Sequence, residues 1–255
     1  MKYVTTVIIG AGQSGLAMSK ELAARNVDHL ILERGKVANS WRTERWDSLR
    51  LLTPNWMNGM PDAPCDRADP DGYMSVQELV AHLDDFAARF DAPVMTETKV
   101  LDISPSWRGY LIQTDQGAIS CGNVVVATGA ATLANRPGFA SDLPPEIAQF
   151  TPLDYKRPSD LASGKVLVVG ASASGTQIAR EIQRSGREVT LAVGEHVRVP
   201  RTYRDADILT WMEMTGRWSE SYREVDDLAR QRRIPSLQLT GEAGENPLEI
   251  NALQD

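Results

Sequence analysis

Val7-Ile8-Ile9-Gly10-Ala11-Gly12-Gln13-Ser14-Gly15 and Val166-Leu167-Val168-Val169-Gly170-Ala171-Ser172-Ala173-Ser174-Gly175 are the stretches that decide the fold. Each carries an apolar, valine-rich strand through a glycine turn into a helix. Around the first, Val4 to Ile9 reads as a short buried strand, Leu16 to Arg25 as the helix behind it, and His29 to Glu33 as a second strand. Strand, turn, helix and strand in about thirty residues make one βαβ unit of a parallel sheet. The second stretch repeats the pattern with strand Val166 to Val169, helix Thr176 to Ser185 and strand Val189 to Val193.

In the first turn, Gly10 permits the sharp bend, Gly12 lets backbone N–H groups approach a pyrophosphate, and Gly15 lets the helix pack close to the sheet. Gln13 and Ser14 open the helix, whose N-terminus favours anionic phosphates. Glu33 ends the next strand 18 residues after Gly15, where a carboxylate accepts hydrogen bonds from adenosine ribose hydroxyls. The second turn has Ser172 in place of the middle glycine, and Gly170, Ser172, Ser174 and Gly175 are its candidate contacts. Beyond its second strand come Glu195, Arg198, Arg201 and Arg204. Arginines such as Arg198 and Arg201 would fork onto a 2′-phosphate and select NADPH. Glu195 would instead bond a free 2′-hydroxyl and favour NADH, and arginines on a solvated loop are the plain alternative. Two cradles in one chain point to two dinucleotides exchanging electrons, as in a flavoprotein fed by a nicotinamide cofactor.

The rest of the chain is less periodic. Residues 35–75 are rich in Trp, Pro, Asp and Asn without clear elements, which is usual for a segment covering a ligand site. Val76, Leu79, Val80, Leu83, Phe86 and Phe90 recur at helical spacing, with Ser75 as the cap. Trp107 to Thr114 and Ala118 to Cys121 resemble a hairpin, and Val124-Val125-Val126-Ala127-Thr128-Gly129 reads as a further buried strand. Pro137 to Pro158 is proline-rich and irregular, suiting a linker. A charged helical stretch is expected near Glu220 to Arg233. These readings give an α/β fold of two Rossmann-like domains: residues 1–145, a linker at 146–160, and residues 161–255.

Composition narrows the function. With 34 acidic against 27 basic residues, the net charge of -7 gives no general drive toward nucleic acid or anionic membrane. No apolar run approaches the ~20 residues of a membrane span. The two cysteines, Cys65 and Cys121, lie far apart, and with no signal peptide the natural expectation is a cytoplasmic protein. Neither glycine loop continues into Lys-Ser/Thr, so neither is a Walker A loop. No GxSxG elbow is present, and His29, His82 and His196 form no metal or triad spacing.

Taken together, the residues resemble the class B flavin monooxygenases, including the plant YUCCA-like branch and many bacterial relatives. The resemblance runs from about Val4 to Arg204. It rests on Gly10 to Ala17, Leu32-Glu33-Arg34, Ser40 to Pro54, Val124 to Gly129, Asp154-Tyr155-Lys156 and Leu167 to Gly175. It implies FAD in the first cradle and NADP, with NAD as the alternative, in the second. Ser40, Trp41 and Arg42 would lie along the pyrophosphate and flavin, beside Glu33 and Arg34. The backbone at Val100 would meet adenine, and Thr128-Gly129 would pass close to the cofactor. In such enzymes a C4a-(hydro)peroxyflavin, formed with O₂, oxygenates a small organic substrate. No catalytic side chain, metal or oligomeric state is implied.

Two departures qualify the resemblance. The family fingerprint FxGxxxH places Gly and His where Pro152 and Lys156 follow Phe150, which points to the YUCCA-like or bacterial branch. Family members also continue beyond the place where this chain stops. The expectation is a three-layer ββα/βαβ architecture whose C-terminal return to the FAD domain is missing and whose nicotinamide domain is incomplete. An NAD(P)H oxidase or reductase without oxygenation, and a nucleotide-binding remnant without turnover, are the alternatives.

Overall fold

The computed structural model describes residues 2–195, 197–235 and 237–241. It divides into two compact units. The first comprises Met1–Asp47, Gly59–Cys65 and Ser75–Tyr155; the second comprises Ser48–Asn58, Asp66–Met74 and Lys156–Asp255. No helix among the described residues is long and apolar enough to cross a membrane.

In the first unit, β1 (Lys2–Ile9), α1 (Gln13–Ala24) and β2 (His29–Leu32) build the βαβ unit expected from the sequence. α2 (Asn39–Thr43), α3 (Val76–Arg89), β3 (Val94–Met95), β4 (Val100–Ser106), β5 (Gly109–Thr114) and β6 (Gly117–Val126) complete it. The strands form one sheet in the order β3-β2-β1-β6-β5-β4, parallel from β3 to β6 and antiparallel thereafter. Val7 and Ile9 join Leu30, Leu32, Ile112, Ile119 and Cys121 in one buried core, drawn from the parallel and the antiparallel strands alike. Ile8 and Ile31, of opposite parity, are also fully buried, and α1 packs on β1 and β2. Burial on both faces is why these short strands read as continuous apolar runs. α3 starts in a complete capping box: Ser75 Oγ accepts from the Glu78 N–H, and the Glu78 carboxylate accepts from the Ser75 N–H at 2.8 Å.

Three expectations change. Trp107 and Arg108 belong to the turn rather than the strand, with Trp107 largely exposed under the Arg108 guanidinium. The strand before that turn, β4, is an addition; it lies at the sheet edge, where Pro105 costs no ladder bond. Ala118–Cys121 and Val124–Val126 are one strand, β6, which pairs with β5 early and with β1 along its length. Its last residue, Val126, is exposed rather than buried.

In the second unit, β7 (Val166–Val169), α4 (Ala173–Arg184) and β8 (Val189–Ala192) form the second βαβ unit. Thr176, Ile178, Ala179 and Ile182 face inward from α4. Among the described residues β7 pairs only with β8, and Leu167 and Val169 remain more than half exposed. β9 (Val197–Arg198) and β12 (Leu237–Gln238) run parallel. β10 (Thr202–Tyr203) and β11 (Ala206–Asp207) form a tight hairpin through Arg204 and Asp205, both at positive φ, as a mirror-image turn requires. Asp207 then caps α5 (Ile208–Met214). In place of a helix from Glu220 to Arg233 there is only α6 (Leu228–Gln231), because the Asp227 carboxylate accepts from the Arg230 N–H and starts the helix there.

Candidate functional site

The two cradles share one backbone. Gly10 has φ +106° and Gly170 φ +102°, a region that L side chains rarely adopt. The Gly10 N–H donates to Leu32 O at 2.8 Å, and the Gly170 N–H donates to Ala192 O at 2.9 Å. Gly12 and Ser172 are extended N-caps, whose carbonyls accept from the Leu16 and Thr176 N–H groups. A Cβ on Gly15 would strike the Gly10 carbonyl, and one on Gly175 would strike the Gly170 carbonyl. Each helix therefore rides directly on its turn. Neither α1 nor α4 has a side-chain cap or an acidic residue in its first turn. Their leading N–H groups and positive dipole ends stay available to an anion.

In the first cradle, a Cβ on Gly12 would meet none of the described residues within 4 Å. That open space in front of the helix is where a pyrophosphate would pass. Gly10 faces the end of β6: a Cβ there would sit 2.5 Å from Ala127 O, one residue before Thr128. Gly129, at φ +78°, then turns the chain away. Glu33 is buried, with one oxygen accepting from the Ala11 N–H at 2.8 Å and the other from the Gly35 N–H at 3.2 Å. The Thr98 N–H donates to Glu33 O, bringing the chain entering β4 at Val100 to the carboxylate end of β2. Ala38, left-handed at φ +58°, donates its N–H to Ala11 O at 2.9 Å and docks α2, with Ser40 and Trp41, on the turn. The glycine turn, Glu33, Thr128-Gly129, the Val100 strand and α2 are thus one cluster.

Two candidates point elsewhere. Arg34 pairs with Glu44, and Arg42 pairs with Asp84 on α3 while its Nε–H donates to Val37 O. These are partly exposed ion pairs holding the α2 segment. Trp41 packs beneath the Arg45 guanidinium, 5.1 Å from the ring centre. Trp46 is 3% exposed and its Nε1–H has no acceptor among the described residues, leaving a buried donor beside the same segment.

The second cradle differs at its specificity end. Arg201, read as a 2′-phosphate fork, is 6% exposed. Its Nε–H and Nη2–H groups donate to Asp207 Oδ2 at 2.8 and 2.6 Å, Nε also reaches Tyr73 Oη at 2.8 Å, and the guanidinium lies 4.4 Å from the Tyr73 ring centre. Burial, and then the hydrogen bond to Asp207, push the Tyr73 phenol up to about 12. Arg201 is a structural ion pair, and nothing in a loop sequence marks such a partner. Arg204 is exposed and lies over Tyr203. Arg198 contributes backbone to β9; its side chain, like His196, lies outside the described residues. Ser174 is partly exposed on the first turn of α4. Gln238, invisible as a site residue in the sequence, is buried and donates from Nε2 to Ala171 O at 2.5 Å, bracing the turn. Cys121 is buried in β6, which raises its thiol, and Cys65 is partly exposed.

This pairing of cradles agrees with the comparisons. The family model for pyridine nucleotide-disulphide oxidoreductases matches residues 7–214. The chain belongs to that family. An uncharacterized CzcO-like oxidoreductase of Geobacillus kaustophilus is 35% identical over 215 residues, covering 84% of this chain and 61% of the relative. A probable indole-3-pyruvate monooxygenase, YUCCA4 of Arabidopsis thaliana, is 32% identical over 207 residues, covering 77% of this chain and 49% of that protein. Among solved structures, a flavin-containing monooxygenase from Stenotrophomonas maltophilia superposes with a TM-score of 0.68 at 23% identity, covering 93% of this chain and 70% of the other. The resemblance to flavin monooxygenases thus rests on relatives as well as on motifs. The chain spans less than two thirds of the length of these curated relatives.

Proposed function

We propose that the protein is an FAD- and nicotinamide-dependent oxidoreductase, in which the first cradle holds FAD and the second holds the nicotinamide dinucleotide. The single observation that carries this reading is the matched pair of turns with open, uncapped helix N-termini. In the first, Gly12 leaves room for the pyrophosphate and the α1 N–H groups face it. Glu33 is held by two backbone N–H groups where ribose hydroxyls are bound in such folds. Gly15 and Gly175 fix each helix against its turn, so the phosphate donors are set before the ligand arrives. Trp46 Nε1–H is a further buried donor in the segment assigned to the flavin. These residues fit FAD. When bound, FAD supplies hydride acceptance from the nicotinamide and activation of O₂. The polypeptide's part is to orient the two cofactors and exclude water.

Monooxygenation of a small organic substrate is the preferred outcome, because flavin monooxygenases recur among the similar sequences and folds. The test is aerobic turnover of the FAD-loaded protein with NADPH over a panel of soft nitrogen, sulfur and 2-oxo-acid compounds. An oxygenated product formed in step with NADPH consumption supports the reading. Hydrogen peroxide matching all NADPH consumed, with no product from any compound, replaces it with an NAD(P)H oxidase.

A further inference from the structure

Residues 203–224, in the second unit, have a distinctive composition. Tyr203, Trp211, Met214, Trp218 and Tyr222 recur among Arg204, Arg217 and Arg223, and no lysine occurs after Lys165. Tyrosine, tryptophan, methionine and arginine are enriched where proteins meet, and lysine is depleted there. These side chains also lie outside. Met214 is 72% exposed, Tyr222 65%, Tyr203 48% and Trp218 47%, and Leu209 alone in the stretch is buried as a whole residue.

The stretch is held in shape from beneath. The buried Arg201 guanidinium pairs with Asp207, and Asp207 Oδ1 accepts from the Leu209 N–H at 2.8 Å, which sets the first turn of α5. The Trp211 Nε1–H donates to Tyr203 O at 2.8 Å, and the two rings meet edge to face with centres 5.9 Å apart. The Arg204 guanidinium lies 5.3 Å from the Tyr203 ring centre. Beyond α5 the Arg217 N–H donates to Met212 O at 2.9 Å, and the Ser221 N–H donates to the Glu224 carboxylate at 2.7 Å. Rings fixed before contact lose little freedom on binding, which lets them act as anchors.

Charge selects the partner. The stretch sets Arg204, Arg217 and Arg223 against Asp205, Glu213, Glu220 and Glu224, close to neutral in a chain of net charge -7. It lacks the single-signed field that would recruit nucleic acid, an anionic bilayer or a strongly charged protein. A surface with both signs interspersed complements its own copy across a twofold axis, each arginine finding an acid. A standard interface draws about 20–30 residues from each partner, and 203–224 is of that length. We propose that residues 203–224 form a self-association surface through which two copies of this chain pair about a twofold axis, with Met214 and Trp218 as its apolar anchors.

The test is sedimentation equilibrium of the full chain across about a hundredfold range of protomer concentration. The variants are Met214→Glu and Trp218→Glu, with Trp107→Glu, at the exposed turn between β4 and β5, as the control. The expected result is a reversible wild-type dimer whose dissociation constant rises by about tenfold or more in Met214→Glu and Trp218→Glu and is unchanged in Trp107→Glu. On the unaltered protein, amide hydrogen exchange in 203–224 should slow as the dimer forms, a readout that needs no variant to fold. A wild type that stays monomeric throughout would overturn the proposal. So would a dimer as tight in both anchor variants as in the wild type, or exchange in 203–224 that does not change when the dimer is present.

Discussion

The two glycine turns have nearly the same backbone, with φ of +106° and +102° at their first glycines and the same clash awaiting a Cβ at their last. Their surroundings differ. The first turn lies against β6, so that Gly10 has Ala127 as a near neighbour, whereas a Cβ on Gly170 would meet none of the described residues within 4 Å. The first also has a buried carboxylate bonded to its own backbone, and the second has Val193 at that place. One local motif therefore serves two purposes. The turn geometry is shared, while the residue just beyond the second strand is a carboxylate in the first and a valine in the second.

The comparison is most easily broken at its glycines. Gly15→Ala drives a Cβ into the Gly10 carbonyl, and the cost should exceed about 4 kcal/mol, the exceptional end for single substitutions. Gly12→Val places its side chain in open space at an ordinary extended φ of −87°. It should melt like the wild type yet retain no FAD. Equal losses of stability in the two variants, measured by denaturant titration with flavin absorbance, would show that Gly12 is a packing glycine rather than the floor of a ligand site.

Arg201 gives the next largest effect. Arg201→Ala leaves the Asp207 carboxylate buried without its partner and should destabilise the protein by about 3–5 kcal/mol. An unchanged denaturation midpoint combined with weakened NADP⁺ binding would return Arg201 to the phosphate-selecting role expected from sequence.

A smaller effect depends on pH. Tyr73 is held neutral in the folded protein, its pKa pushed up from 10.0 to about 12 by burial and by Asp207. A raised pKa means that this contribution is complete below pH 10 and is lost as pH rises toward 12. With the ring half buried and solvent screening part of the shift, the loss is about 1 kcal/mol. Tyr73→Phe should flatten this alkaline slope in thermal melts; an identical slope would remove Tyr73 as its source.

Much of this was legible in the chain itself. β1, β2, β7 and β8 are strands rich in valine, isoleucine and leucine and paired in parallel, and the glycine turns after β1 and β7 mark the cradles. Ser75 and Glu78 spell out the cap of α3. β4 was not legible because an edge strand with Pro105 shows neither alternation nor a continuous apolar run. The grouping of residues 48–58 and 66–74 with the second unit was hidden for another reason. It depends on bonds across long stretches of chain, such as Tyr73 Oη to Asp207 at 2.6 Å, which no local pattern encodes. The same distance in sequence concealed the burial of Arg201.

The central claim is that the first cradle holds a flavin which the second supplies with electrons. Anaerobic titration of the FAD-loaded protein with NADPH, followed by NADH, tests it most directly. The account predicts stoichiometric bleaching of the flavin bands by NADPH, with NADH no more effective. A protein that takes up no FAD, or one whose bound flavin is bleached by neither nucleotide, would contradict it.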